Sequence, residues 1–560
     1  MAFQLSPGIN VSEVDLTTVV PSVASSTGAF AGKFAWGPVN QVITVSDEVR
    51  LAAQFGNPTD DNYEYWFSAA NFLAYSNNLK VVRAANTSTS RNATWSGSSL
   101  LIKNVDDYNS NHSGGANTYG RFAAKYAGEL GNSIRVEVVD SNTYTGWAYA
   151  GDFTDAPATS DYVSAAGGSN DELHIVVIDA GAKFTGTANT ILEKFAFVSK
   201  ASDAKNPDGT TNYYKDVVNK RSNYIWWMSH PELSGNTLNW GTTSSTTFNT
   251  LANRIGQTFT NGAVGTVTAG DIQSAYDLVA NPDSVDISLV VSGPANASIA
   301  NHLIDNIAKV RKDCVVFLSP EKADVVDNAG SETTDILTYR ASLNSSDYAV
   351  MDSGWKYQYD KYNDVYRWVP LNGDVAGLCA RTDLERDPWF SPAGLNRGTI
   401  RNIVKLSWNP TKADRDDLYV KGVNPVVTFQ GEGTILFGDK TLLTRPSAFD
   451  RINVRRLFIT LEKAIARAAR TSLFEFNDQF TRAQFVNLVE PFLRDVQGRR
   501  GITDFRVVCD ERNNTPEIID RNEFVGDIYI KPARSINYIQ LNFVAVRSGV
   551  AFDEIVGRQI

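Results

Sequence analysis

The stretch "VDISLVVSGPANASIANHLIDNIAKVRKDCVVFLSP", residues 285–320, decides the fold class of this chain. Two short apolar runs, "VDISLVVSG" and "CVVFLSP", flank a helical pattern with apolar residues at Ile299, Leu303, Ile307 and Val310. A buried strand, an amphipathic helix and a second buried strand predict two parallel strands joined by a right-handed crossover. The chain is therefore predicted to contain an α/β domain.

The α/β pattern continues on both sides of this stretch and is interrupted once. Residues 26–90 and 196–350 carry short buried strands and amphipathic helices, which predicts a discontinuous middle α/β domain. Between them, residues 91–195 combine alternating strands with runs of Ser, Thr, Asn and Gly, which favour turns and loops. This segment is predicted to be an inserted, mostly β outer domain.

Residues 351–545 are predicted to form a C-terminal α/β core domain, and "FDRINVRRLFITLEKAIARAARTSLFEF" is predicted to be its long amphipathic helix. One face of this helix carries Val454, Leu457, Phe458, Leu461, Ile465 and Ala468. Residues 1–25 and 546–560 are predicted to be extended arms. Both carry apolar residues, which are unusual in terminal segments unless these segments pack against another surface. The predicted fold class is α+β and multidomain.

Composition excludes several classes of protein. The chain is 42% hydrophobic and 20% charged, which is typical of a folded protein, and its formal net charge of -10 argues against nucleic-acid binding. Cys314, Cys379 and Cys509 are widely separated, so neither a disulfide framework nor a zinc site is predicted. No apolar run reaches the roughly 18 residues that a membrane span needs, so no membrane span is predicted.

The sequence offers no motif for catalysis. The glycines of "GAFAGKF" lack the spacing of a phosphate-binding loop, and His112, His174, His230 and His302 are scattered. The acidic stretch "CDERNNTPEIIDRNE" lacks calcium-loop spacing and is interpreted as a hairpin turn. We therefore predict no catalytic residue, no cofactor and no metal.

A basic segment stands out in this acidic chain. Residues 451–500 contain ten Arg and Lys against five Asp and Glu, so the segment is +5 and the remainder is -15. Arg456, Lys463, Arg467 and Arg470 follow each other at steps of seven, four and three, which places them on one side of a helix, opposite its apolar face. They are predicted either to be a solvated helix face or to contact an acidic partner.

The chain resembles the tail sheath proteins of contractile-tailed bacteriophages, especially the T-even-like group. In the C-terminal half the resemblance rests on "GDVAGLCARTD", "PWFSPAGLNRG", "GVNPVVTF", "LFGDKTL", "FDRINVRRLF", "CDERNNTPEIIDRNEFV" and "KPARSINYIQLNFVA". In the N-terminal half it rests on "SPGINVSEVD", "VASSTGAFAGKFAWGPVN", "FGNP", "LKVVRAAN" and "YAGELGNSIRVEV".

The resemblance implies a structural protein and not an enzyme. Family members are expected to form six-fold rings, stacked helically around a rigid tail tube, that contract to drive the tube through the host envelope. The implied partners are further copies of the chain, the tail tube protein, and the baseplate and tail terminator proteins. The implied location is the virion tail, after assembly in the host cytoplasm.

The resemblance also assigns roles to individual residues. The terminal arms are expected to exchange strands with neighbouring subunits through Ile9, Val11, Glu13, Phe552, Glu554, Ile555 and Val556. The expected arm hinges are Pro7, Gly8, Ser548 and Gly549. The residues expected to face the tube are Arg456, Lys463, Arg467 and Arg470.

Two alternative functions remain open at this point. The same arms and core would serve the sheath of a contractile injection device that is not a phage. Eleven Trp, many Tyr and the acidic turn would also suit a glycan-binding or glycan-degrading tail protein.

Overall fold

The computed structural model describes residues 20, 23–233, 236–537 and 540. The predicted strand-exchange and hinge residues lie outside the described residues: Pro7, Gly8, Ile9, Val11, Glu13, Ser548, Gly549, Phe552, Glu554, Ile555 and Val556.

Within the described residues the strands are, in chain order, β1 (Gly28–Lys33), β2 (Val42–Val45), β3 (Leu79–Ala84), β4 (Asn92–Thr94), β5 (Phe122–Ala127), β6 (Ile134–Asp140), β7 (Glu172–Asp179), β8 (Thr190–Ser199), β9 (Ile225–Trp227), β10 (Glu232–Leu233), β11 (Asn236–Thr237), β12 (Ile255–Thr258), β13 (Leu289–Val291), β14 (Val315–Leu318), β15 (Ala349–Asp352), β16 (Trp355–Asp360), β17 (Val365–Pro370), β18 (Lys405–Leu406), β19 (Val423–Asn424), β20 (Val426–Phe429), β21 (Gly433–Leu436), β22 (Ile502–Val508) and β23 (Asp527–Pro532).

The α-helices of the same residues are α1 (Glu48–Phe55), α2 (Tyr63–Leu73), α3 (Val105–Asp107), α4 (Asp161–Ala165), α5 (Tyr214–Arg221), α6 (Ala269–Asp277), α7 (Ala297–His302), α8 (Lys309–Arg311), α9 (Lys322–Val325), α10 (Glu332–Ser342), α11 (Asn372–Glu385), α12 (Lys412–Val420), α13 (Ile452–Ala469), α14 (Gln479–Gly498) and α15 (Pro516–Asp520).

A seven-stranded sheet in the order β19-β15-β14-β13-β1-β3-β2 forms the centre of the molecule. All its strand pairs are parallel except β2 with β3, which are antiparallel. Successive residues of β1 point into two different apolar cores, Phe30 into one and Ala31 into the other. The sheet is therefore covered on both faces, which is typical of parallel sheets with helical crossovers. The predicted α/β domain is confirmed, within a mixed helix and sheet multidomain fold.

The central sheet crosses the boundary that the sequence placed at residue 351. Met351 in β15 pairs with Val423 in β19, and both strands belong to the central sheet. The central α/β body therefore includes residues that were predicted to belong to the C-terminal domain. The two-residue strand β19 is too short to give a periodic signal in the sequence.

The β-rich insertion also runs past its predicted end at residue 195. It contains a four-stranded sheet in the order β12-β6-β7-β8 and a three-stranded sheet in the order β4-β5-β9. Strands β9 and β12 follow residue 195, and they complete sheets begun before it. These two strands have three and four residues and lie between loops, so the sequence carried no clear alternation. The insertion is mostly β, as predicted, but longer.

The helix after β13 differs from its predicted face at one residue. Helices α7 and α8 are joined by a π-helical turn, Leu303–Ala308. Ile299, Leu303 and Ile307 are buried as predicted, whereas Val310 is 67% exposed. A π turn adds a residue to the helical period, so the positions after it rotate relative to the core.

The C-terminal part of the structure, which we call the C-terminal domain from here on, contains α13, α14, α15 and the hairpin β22–β23. Of the predicted apolar face of α13, Phe458 is half-buried and the rest are buried: Val454, Leu457, Leu461, Ile465 and Ala468. No helix in the described part of the chain combines the length and the apolar character needed to cross a membrane.

Candidate assembly surface of the C-terminal domain

Helix α13 connects the central body to the C-terminal domain. Its residues are mostly good helix formers, and its apolar side chains divide between two cores. Ile452 and Ile459 pack into a core of the central body, whereas Leu457, Leu461 and Ile465 pack with α14 and the β22–β23 hairpin. Helix α13 therefore helps to hold the C-terminal domain against the body, together with Trp389, which donates to the carbonyl oxygen of Arg499 at 3.1 Å.

Arg456 is not on an exposed helix face, which corrects its predicted position. Its side chain is 4% exposed and forms an ion pair of 2.6 Å with Asp383 of α11, which is 5% exposed. It also donates hydrogen bonds to the carbonyl oxygens of Cys379 and Ser25, each at 3.3 Å. The sequence could not show this because Asp383 is distant along the chain and becomes a neighbour only when α11 packs against α13.

The other three predicted basic residues lie on the same side of α13 and face acidic residues of this same chain. Lys463 Nζ lies 2.8 Å from Asp286 Oδ1, and Arg467 lies 3.3 Å from Asp286 Oδ2. Arg470 lies 3.4 Å from Asp283. Each of the four residues thus lies beside a carboxylate of its own chain, so part of their charge is already neutralised.

The side chain of Asp286 is held in its charged form. Burial opposes ionisation, but hydrogen bonds and charge interactions with Lys463 and Arg467 hold the pKa of this carboxyl below its ordinary value. A carboxylate shared between two cations is a strong local attachment point for the helix.

The hairpin β22–β23 forms a two-stranded sheet among the described residues. Phe505 and Ile530 pair across it and pack on the core with α14, whereas Arg506 and Tyr529 pair on the outer side and are exposed. Among the described residues neither strand has a further strand neighbour. Unpaired edges expose backbone donors and acceptors and invite the addition of another strand.

The turn between α13 and α14 and the first residues of α14 expose several large apolar side chains. The exposed fractions are 62% for Leu473, 105% for Phe474, 85% for Phe476 and 76% for Phe480. Phe474 has φ of 71°, a left-handed conformation that bulky residues rarely adopt. This surface was not predicted from the sequence, although "LFEF", residues 473–476, follows the end of the apolar face of the helix.

The N-terminal arm joins the body beside α13. Val20 is buried against Ala464 and Ala468 of that helix. The hydroxyl of Ser288 donates to the carbonyl oxygen of Ala24 at 3.0 Å. The root of the arm therefore crosses α13, from Ala468 on its apolar face to the contact of Ser288 with Lys463 on its basic side.

Cys314, Cys379 and His230 have side chains of types that often act in catalysis, but here they pack within the fold. Burial raises the pKa of Cys314 and of Cys379 to about 12, which disfavours the thiolate. Burial also lowers the pKa of His230 to about 4. A hydrogen bond of 2.6 Å joins its Nδ1 to the hydroxyl of Tyr214. In the described ranges no group of three or more His, Cys, Asp or Glu is placed to hold a metal ion.

Three family models match the chain. They are the tail sheath protein Gp18 domain III N-terminal region over residues 26–84, the phage tail sheath protein central domain over 265–442, and the phage tail sheath C-terminal domain over 444–545. The gap between the first two models corresponds to the β-rich insertion seen in the fold.

Similar proteins of known type cover nearly the whole chain. The tail sheath protein of Enterobacteria phage T4 is 34% identical over 99% of this chain and 99% of its own length. That of Vibrio phage KVP40 is 33% identical over 99% of this chain and 100% of its own length.

Solved structures share the fold at low identity. The helical sheath of the anti-feeding prophage in its contracted state aligns with a TM-score of 0.52 at 12% identity, over 97% of this chain and 99% of its own. A sheath tail protein from Desulfitobacterium hafniense aligns with a TM-score of 0.51 at 13% identity, over 94% and 100%. This chain belongs to the family of phage tail sheath proteins.

Proposed function

We propose that this chain is the structural subunit of a contractile phage tail sheath. It polymerises as six-fold rings stacked helically around the tail tube, between the baseplate and the tail terminator, and contracts to drive the tube through the host envelope. It assembles in the host cytoplasm and becomes part of the virion tail. The observation that carries the proposal is its similarity to phage tail sheath proteins along their full lengths.

The subunits are linked by strands exchanged between neighbours. Residues 8–16 and 551–557 each add a strand to a β22–β23 hairpin of another copy, and the hinges at Pro7-Gly8 and Ser548-Gly549 let rigid bodies rotate. The open edges of the hairpin support this, because strand addition satisfies their backbone hydrogen-bonding groups. Contacts of this head-to-tail kind do not close on themselves and so build a filament.

The contact with the tail tube uses the exposed end of the basic side of α13. Arg456 and Lys463 are committed to carboxylates of their own chain, which leaves Arg467 and Arg470 accessible. An acidic tube surface would compete with Asp283 and Asp286 for these two guanidinium groups. The tube contact is therefore expected to weaken as salt screens exposed charges.

Contraction requires no nucleotide in this scheme. The extended sheath is a kinetic trap held by the tube and baseplate, and the contracted form lies lower in free energy because its rotated subunits bury more complementary surface.

A sheath of a contractile injection device that is not a phage remains a second candidate. The anti-feeding prophage sheath shares the fold, and its function would need the same links between subunits. The full-length similarity to phage tail sheath proteins favours the phage tail over this candidate and over a glycan-active tail protein.

Truncation of the C-terminal arm tests the proposal. The full chain is expected to form long striated tubules by negative-stain microscopy, and a chain lacking residues 548–560 is expected to stay folded by circular dichroism but to form none. The matched control ends at Gly557, so that it keeps the proposed strand 551–557, and should still form tubules.

The proposal fails in either of two ways. Tubules from the chain lacking 548–560 would show that the arm is not an essential link. Unfolding of that chain would show that the arm belongs to the core of its own subunit.

A further inference from the structure

The basic side of α13 is paired with acidic side chains in an order of decreasing burial. The exposed fractions of the cation and the carboxylate are 4% and 5% for Arg456–Asp383, 12% and 43% for Lys463–Asp286, 47% and 43% for Arg467–Asp286, and 71% and 79% for Arg470–Asp283. Along α13 the ion pairs thus change from buried, at Arg456, to exposed, at Arg470.

The same cations hold the root of the N-terminal arm. Arg456 donates to the carbonyl oxygen of Ser25 at 3.3 Å. Lys463 Nζ donates to Ser288 Oγ at 3.0 Å, and that hydroxyl donates in turn to the carbonyl oxygen of Ala24 at 3.0 Å. Lys463 also donates to the carbonyl oxygen of Ile287 at 2.6 Å. The acidic loop 281–286, the arm root and α13 therefore meet at the two most buried cations.

We propose that the basic side of α13 is a graded electrostatic clamp that fixes both the acidic loop 281–286 and the direction in which the N-terminal arm leaves the body. The clamp opens from the Arg470 end and stays closed at Arg456. This is a conformational device within one chain, and it does not depend on the proposed polymer.

The gradient follows from the cost of separating charges in different surroundings. Opening the Arg456–Asp383 pair would leave two charges buried without partners, which is strongly unfavourable. The Arg470–Asp283 pair is mostly hydrated, so its opening costs little and salt weakens it further. Lys463 lies between these limits, and a second carboxylate, Asp313, stands 3.7 Å from its Nζ.

The arm root responds only to the closed part of the clamp. Arg467 and Arg470 contact the acidic loop but make no hydrogen bond to Ala24 or Ser25 among the described residues. Loss of Asp283 is therefore expected to loosen the loop alone. Loss of Asp286 removes the shortest ion pair of Lys463 and is expected to loosen the loop and, through Ser288, the arm root together.

Hydrogen exchange followed by mass spectrometry tests this in the full-length, unassembled chain. Asp286→Asn is expected to speed exchange roughly fivefold or more in peptides covering 281–290 and 23–28, as local opening becomes easier. Peptides covering residues 457–461, in the buried part of α13, should not change. The matched control Asp283→Asn should speed exchange about twofold or less at 281–290 and leave 23–28 unchanged.

A second variant keeps the test decisive if Asp286→Asn perturbs folding. Lys463→Gln removes the other partner of the same pair and should give the same two faster peptides with an unchanged circular dichroism spectrum. Unchanged exchange at 23–28 in these variants would overturn the link to the arm, and equal effects of Asp283→Asn and Asp286→Asn would overturn the gradient. Both results are independent of whether the chain forms tubules.

Discussion

Two lysine–aspartate pairs of equal length show how differently the central body and the C-terminal domain are built. Lys356 and Asp374 of the body are 2.9 Å apart with side chains 0% and 1% exposed. Lys531 and Asp504 of the C-terminal hairpin are also 2.9 Å apart, with side chains 75% and 62% exposed. This pair of the body is closed inside the fold, whereas the C-terminal domain exposes this charge pair and the ring of Phe474.

The surroundings of Lys356 explain why the body is self-contained. Its Nζ also donates to the carbonyl oxygen of Arg401, and Tyr75 donates to the same oxygen of Asp374 at 3.1 Å. Nearby, Asn71 donates to Gln358 at 2.9 Å. These contacts join α2, α11 and β16, which lie far apart in the sequence.

The largest expected effect on the free energy of unfolding is a difference between two Lys→Met substitutions, one in the body and one in the C-terminal hairpin. Lys356→Met should lower the free energy of unfolding by about 3–5 kcal/mol, because it leaves Asp374 buried without its partner. Lys531→Met should leave the stability unchanged, because that pair is exposed to water. Urea unfolding followed by fluorescence measures both changes.

The comparison between the regions would break if the two variants behaved alike. Equal stability of the two proteins would mean that the buried pair adds nothing to the body. A large loss from Lys531→Met would mean that the hairpin is closed by its own contacts.

A pH-dependent effect of intermediate size is expected in the body. Asp352 is buried beside Ser319, and burial raises its pKa to about 8. The same carboxyl has a pKa near 3.8 in the unfolded chain. Between pH 3.8 and pH 8 it is therefore protonated in the folded chain and ionised in the unfolded chain. This favours folding at low pH, and the stability it gives is lost as the pH rises toward 8.

Replacing this carboxyl by its amide should remove that pH dependence. Asp352→Asn should flatten the decline of unfolding free energy from pH 4 to pH 8, with a gain of about 2–5 kcal/mol over the parent chain at pH 8, where the full shift in pKa corresponds to the upper value. Urea unfolding at a series of pH values measures it. Asp504→Asn, at an exposed carboxyl of the C-terminal hairpin, should leave the slope over this window unchanged. A steep decline that persists in Asp352→Asn would assign it to another group.

Local periodicity predicted the parts of this fold that are built from adjacent residues. The strand–helix–strand unit around Ile299 and the apolar face of α13 follow from repeats that a short stretch of sequence contains. The π turn at Leu303–Ala308 was not predictable, since it adds one residue without an unusual composition. Short strands such as β9 and β19 form because they pair with β5 and β15, and their own sequences show no strand periodicity.

The candidate assembly surface also has features that the sequence predicted and features that only the folded chain shows. The alignment of the basic residues on α13 follows from helix geometry, so sequence alone predicted it. The burial of Arg456 depends on Asp383 of α11, and the neutralisation of Lys463 depends on Asp286, contacts that only the tertiary fold creates. The resemblance to tail sheath proteins supplied the family, which no single motif of the chain established.

The smallest effect on stability is expected in the exposed turn of the C-terminal domain. Phe474 is fully exposed with φ of 71°, so its ring contributes nothing to the core while its backbone is strained. Asn tolerates this conformation better, so Phe474→Asn should raise the free energy of unfolding by about 0–1 kcal/mol. The matched control is Phe485→Ala in the adjacent helix, a residue 6% exposed, which should lose about 3–5 kcal/mol. Thermal melts of the unassembled chain compare the two. A loss from Phe474→Asn approaching that of Phe485→Ala would show that the turn is packed within its own subunit, and the C-terminal domain would then be as closed as the body.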